Sequence, residues 1–80
     1  MAIGPDDAAR PQAIDRHIGR KVRARRAELD MSPKELAFMS GVAIAALRNI
    51  EAGNRRATPQ QMLALSEALG VTIQWFFEDL

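Results

Sequence analysis

MSPKELAFMSGVAIAALRNIEAG, Met31 to Gly53, is the stretch whose reading decides the fold. Ser32, Pro33, Lys34, Glu35 is S-x-x-E with proline at the first helical position. The serine oxygen can accept from the third N–H of a helix, the glutamate can reach back to the serine N–H, and proline there forfeits no hydrogen bond. The spacing predicts a helix through Leu36, Ala37 and Met39 that stops near Gly41 in a left-handed cap. Val42 then turns the chain into a second helix, AIAALRNIEA (43–52), which Gly53 ends.

Outward from this pair the same punctuation recurs. Upstream, Ile14, Ile18, Val22, Arg25 or Arg26, and Leu29 step by threes and fours, the stripe of an amphipathic helix. Arg16, Arg20, Lys21 and Arg23 point away from that stripe. Gly19 inside it costs about 1 kcal/mol against Ala, which suggests a close contact there. Downstream, Thr58 to Gln61 reads T-x-x-Q and opens a helix with Met62, Leu65, Ala68 and Leu69 on one face, closed by Gly70. Thr72 can cap a last short helix, IQWFFEDL. No segment alternates with period two for long enough to be a strand. The expected fold is all-α and compact, with five helices over 12–80. Residues 1–11, with the breakers Gly4, Pro5 and Pro11, read as a disordered tail.

Eighty residues make one small domain, and no Cys is present for a disulfide or a thiolate metal site. His17 alone holds no metal. No apolar run approaches the roughly 20 residues of a membrane span, and MAIGPDDAARP lacks a signal-peptide plan. The net charge of +1 hides a segregation. Residues 1–9 carry −2, residues 10–56 hold all 11 Lys and Arg against five acids for +6, and residues 57–80 carry −3. That asymmetry suits a basic face meeting a polyanion, or a solvated helix surface. Catalysis is not expected. Ser32 and Thr58 serve as caps, His17 has no nucleophile beside it in sequence, and Asp6–Asp7 in a tail has no fixed geometry. No cofactor, metal, membrane or small-molecule ligand is expected, and the cytoplasm, at the nucleoid, is the default location.

Helix, glycine turn, helix is the helix-turn-helix unit (32–52), and its residues resemble the Cro/repressor-like (XRE) family of bacterial and phage transcription regulators. The landmarks are Ile18–Gly19, Arg26, E-L-A at Glu35 to Ala37, Gly41–Val42, I-E-x-G at Ile50 to Gly53, and A-L-G-V at Ala68 to Val71. The RRxEL run and the WFFEDL ending are similar to a proteobacterial branch. The resemblance covers roughly residues 13–79 and implies a lambda-repressor-like domain. Its core would be closed by Ile18, Val22, Leu29, Leu36, Ala37, Val42, Leu47, Ile50, Met62, Leu65, Leu69, Ile73 and Phe76. A buried acid at Glu51 would be costly alone, and the resemblance implies that Arg26 pairs with it in a structural role.

The resemblance further implies that helix 43–52 enters the major groove, its N-terminal end foremost. By position Ile44, Ala45, Arg48 and Asn49 would read bases, while Ala43, Asn54, Arg55, Arg56 and Thr58 would meet phosphates. Here the sequence departs from the family pattern, which favours polar residues at 43–45 and a glutamine where Pro33 stands. Three explanations stay open. Ile44 and Ala45 contact thymine methyls around Arg48; the apolar face docks a protein instead; or Ile44 tucks near Phe38 and the alanines fill space. Arg10 and Arg16 or Arg20 are read first as solubilising charges that could also track flanking backbone.

Trp75, Phe76 and Phe77 are adjacent and cannot share one buried face. With Phe76 inward, Trp75 and Phe77 are candidates for a dimer interface, as the resemblance implies for the last helix. With the sequence stopping at Leu80, regulation is expected through abundance, oligomerisation or a partner protein. The expected function is a homodimeric regulator on a pseudo-palindromic operator in double-stranded DNA. The alternative is a protein-interaction module, antitoxin-like or anti-regulator, whose apolar third-helix face binds a protein.

Overall fold

Local capping chemistry sets most of the element boundaries in the structure, a computed structural model that describes residues 11–80. α1 spans Pro11–Glu28, α2 Pro33–Ser40, α3 Ile44–Glu51 and α4 Pro59–Leu69, followed by a 3-10 turn at Gln74–Phe77. The tail expected at 1–11, and Arg10 with it, lie outside the described residues, except that Pro11 opens α1.

Ser32 Oγ accepts from Glu35 N–H at 3.0 Å while Glu35 Oε1 accepts from Ser32 N–H at 2.7 Å. Thr58 and Gln61 repeat the box at the start of α4, at 3.1 and 3.0 Å. Each such cap contributes about 1 kcal/mol. Between α2 and α3, Gly41 adopts φ 75°, and its N–H donates to Ala37 O at 2.9 Å. Ser40 adds a clasp that the sequence did not advertise. Its hydroxyl donates to Leu36 O at 2.7 Å and accepts from Val42 N–H at 3.2 Å, so the turn is fixed on both sides.

α1 packs across α3 and α4, and α2 fills the angle between α3 and α4. Val22, Leu36, Leu47, Ile50, Leu65, Leu69 and Phe76 are fully enclosed at the centre. Of the expected core residues, Ala37 is only partly buried and two are exposed. Leu29 is exposed because α1 has already ended at Glu28, so the stripe stops one step short of it. Ile73 stands at the lip of a surface groove beside Met62 and Phe77.

The fifth expected helix is a single 3-10 turn. Thr72 does cap the segment, its Oγ1 accepting from Trp75 N–H at 3.2 Å. The bonds that follow run to the third residue back, from Trp75 to Thr72 O and from Phe76 to Ile73 O. Phe76 must stay in the core, and His17 Nε2–H donates to Glu78 O at 2.8 Å, which ties the chain end to α1. A carbonyl held by that side chain is not part of a continuing helix.

Candidate nucleic-acid interface

α3 exposes one face along its length. Ala45, Arg48 and Asn49 are in solvent, and Ala52 continues the face past the helix end. Ala46, Leu47 and Ile50 are buried on the opposite side. Ile44 divides the two, half-buried and packed against the core. Phe38 does not cover it: that ring is 88% exposed on α2, next to Met39 at 61%. The face therefore offers one methyl from Ala45, one guanidinium and one carboxamide, with Ile44 reaching only part of its surface outward.

The N-terminus of α3 differs from its neighbours. α2 and α4 satisfy their first N–H groups with capping boxes, whereas α3 has Ala43 at its N-cap and no side-chain cap. No side chain accepts from its leading N–H groups, and a phosphate oxygen is an acceptor that such a positive dipole end favours. The α2–α3 turn and the start of α4 share a cleft of ≈ 450 Å³ lined by Ala43, Thr58, Gln60 and Gln61 among others. Ala43 and Thr58 thus come together at one end of α3. The cap uses the Thr58 hydroxyl only as an acceptor, so its O–H can still donate there.

Asn54, Arg55 and Arg56 gather at the other end, all exposed. Asn54 N–H closes the helix by donating to Asn49 O at 2.9 Å. Arg56 Nε donates to Asp15 on α1 at 2.9 Å, a pairing across 41 residues that no local pattern announces. Arg55 projects freely between these anchors.

Behind the face, Arg26 and Glu51 lock α1 to α3. Arg26 Nε and Nη2 donate to the two carboxylate oxygens at 2.8 and 3.0 Å, and Nη1 donates to Met31 O at 2.8 Å. The hydrogen bond to Glu51 raises the Arg26 pKa above its ordinary value, against a smaller lowering from burial. This pair ties α1 to the last turn of α3 and so helps set where α3 stands.

At the chain end the two candidate interface aromatics differ. Trp75 packs edge-on against Phe76 with centroids 5.5 Å apart, and Lys21 Nζ stands 4.1 Å from its ring centroid, so intramolecular partners occupy it. Phe77 remains 45% exposed and lines an apolar groove of ≈ 390 Å³ with Ile14, Ile18, Met62 and Ile73. Among the described residues no helix is long and apolar enough to cross a membrane.

The helix-turn-helix family profile matches residues 22–76. The chain is 31% identical over 74 residues to an uncharacterized HTH-type transcriptional regulator of Sinorhizobium medicae, covering 92% of this chain and 53% of that protein. It is 34% identical over 67 residues to a transcriptional regulator in the ATPase CF(0) region of Rhodospirillum rubrum, covering 84% of this chain and 62% of the other. The chain therefore spans only about half to three fifths of the length of these relatives. The restriction-modification controller protein C.AhdI from Aeromonas hydrophila has the same fold, with a TM-score of 0.78 at 28% identity over 81% of this chain and 98% of that one. The clp gene regulator ClgR from C. glutamicum is similar in fold alone, with a TM-score of 0.74 at 23% identity over 80% of this chain and 83% of its own.

Proposed function

Because the chain belongs to the Cro/C1-type (XRE) helix-turn-helix family of transcription regulators, a DNA-binding and non-enzymatic class, we propose that it binds a pseudo-palindromic operator as a homodimer in the bacterial cytoplasm. The observation that carries this reading is α3 itself, which presents Ala45, Arg48 and Asn49 outward behind an uncapped N-terminus. Ala45 and the outer part of Ile44 meet thymine methyls, Arg48 and Asn49 supply the polar contacts, and groove shape supplies the remainder. Ala43, Asn54, Arg55, Arg56 and the α4 start at Thr58 hold the backbone on either side, which fixes register without reading sequence.

Selection of bound duplexes from a randomised pool tests this. A recovered palindrome, preferred over random DNA across a salt series, is the expected result. Arg48→Ala is expected to weaken the recovered site by about 10- to 100-fold, the worth of one good base contact, with a smaller loss on random DNA. Equal losses on both would move Arg48 to the phosphates.

The dimer reading rests on Phe77 and the groove it lines. Phe77→Ala is expected to weaken self-association by about tenfold or more with helicity unchanged. A sedimentation profile identical to that of the unmodified protein would sink it. The protein-interaction reading is favoured by one observation, the exposure of Phe38 and Met39 on α2. Failure of the pool to enrich any duplex would turn the assignment in that direction.

A further inference from the structure

Arg16, Arg20 and Arg23 fall at i, i+4 and i+7 on α1, which places them on one face of the helix. All three are exposed. Together they border Glu51 and Ala52, where α3 ends. The contact is close: a Cβ on Gly53 would lie 3.0 Å from Arg16 Cα, so α1 lies directly on the end of α3. Ala52 stands four residues beyond Arg48 and seven beyond Ala45, on the same α3 face. The outward face of α3 and the arginine stripe of α1 are therefore one continuous surface.

Its charge has no internal use. The carboxylates at this edge, Glu51 and Asp15, are engaged by Arg26 and Arg56. Among the described residues none of the three stripe arginines has a carboxylate partner. Like charges three and four apart on a helix destabilise it, and the α3 C-terminal dipole offsets only part of that. A polyanion laid along the stripe would relieve the repulsion.

We propose that Arg16, Arg20 and Arg23 form a second phosphate-binding surface, taking the DNA backbone that flanks the half-site under α3. This rests on the DNA-binding reading above and extends its footprint beyond the helix-turn-helix. The operator is held at its centre by α3 and the 54–56 loop and along its flank by α1. Contact there lengthens the required duplex and adds to the counterions released on binding.

The test compares the unmodified protein with a triple variant, Arg16→Gln, Arg20→Gln and Arg23→Gln, and with the charge-conserving triple Lys variant. The probes are the duplex recovered by selection and the same duplex extended by about five base pairs on each side, roughly half a helical turn. The slope of log K against log salt is expected to flatten by about 2 to 3 units per subunit in the Gln variant, since each phosphate contact contributes about 0.9. Extension of the duplex strengthens binding of the unmodified and Lys proteins and leaves the Gln variant unchanged. A Gln variant with the original slope and the original gain overturns the stripe while leaving α3 as the reader. An unmodified protein that binds no duplex at any salt overturns the DNA reading and the stripe together.

Discussion

A Glu51→Leu protein with Arg26 left in place is expected to lose about 3–5 kcal/mol of folding free energy in urea unfolding. The two side chains are only 15% and 10% exposed, so water reaches little of the guanidinium to replace its partner. Removing the carboxylate strands two donors, Nε and Nη2, and leaves a buried charge whose remaining protein partner is the Met31 carbonyl. Domains of this kind hold about 5–15 kcal/mol in total, so the single change consumes a large part of the margin. The double variant Arg26→Met with Glu51→Leu is expected to recover most of it, because replacing both members of a buried pair by apolar residues is often neutral. Equal destabilisation of the single and double variants would assign the loss to packing instead of the stranded charge.

That pair also marks the limit of what local sequence carries. Ser32–Glu35 and Thr58–Gln61 declare the starts of α2 and α4 because a capping box is complete within four residues. Gly41 and Gly70 declare their ends by the same locality. The last segment carries no such local mark. IQWFFEDL has eight residues and an apolar pattern that suits either helix type, and the 3-10 geometry follows from tertiary demands on Phe76 and Glu78. Leu29 is the complementary case: it keeps the step of the apolar stripe but stands past Glu28, where the helix stops.

The site divides along the same line. The outward direction of Ala45, Arg48 and Asn49 follows from helical period once Leu47 and Ile50 are known to face inward. The half-burial of Ile44 does not, since it depends on how closely α3 lies against its neighbours. The Asp15–Arg56 bond, the Lys21–Trp75 stack and the Arg25 Nε bond to Leu69 O at 2.9 Å join residues far apart in sequence. Each needs the packing of α1 before it can be seen, and that packing turns on one residue.

Gly19→Ala is expected to destabilise the protein although alanine is the better helix former by about 1 kcal/mol. A Cβ at position 19 would run into Ile50 O and come within 2.8 Å of Glu51 O. Both are backbone atoms of the last turn of α3, so no side-chain rotation relieves the overlap, and α1 and α3 must move apart. Overpacking of this kind costs about 1–3 kcal/mol and occasionally more. Rigid backbone on both sides puts this case at the upper end, for a net loss of about 2 kcal/mol after the propensity gain. In a domain of this size that is a fall in Tm of about 8–16 °C. The separation would also stretch the Arg26–Glu51 pair and break the continuity between the α3 face and the α1 arginines. DNA affinity should therefore drop even at temperatures where the variant remains folded, with a shallower salt slope than the parent. A Tm at or above the parent value would mean that the helices part at no cost, and that α1 does not fix the position of the reading helix.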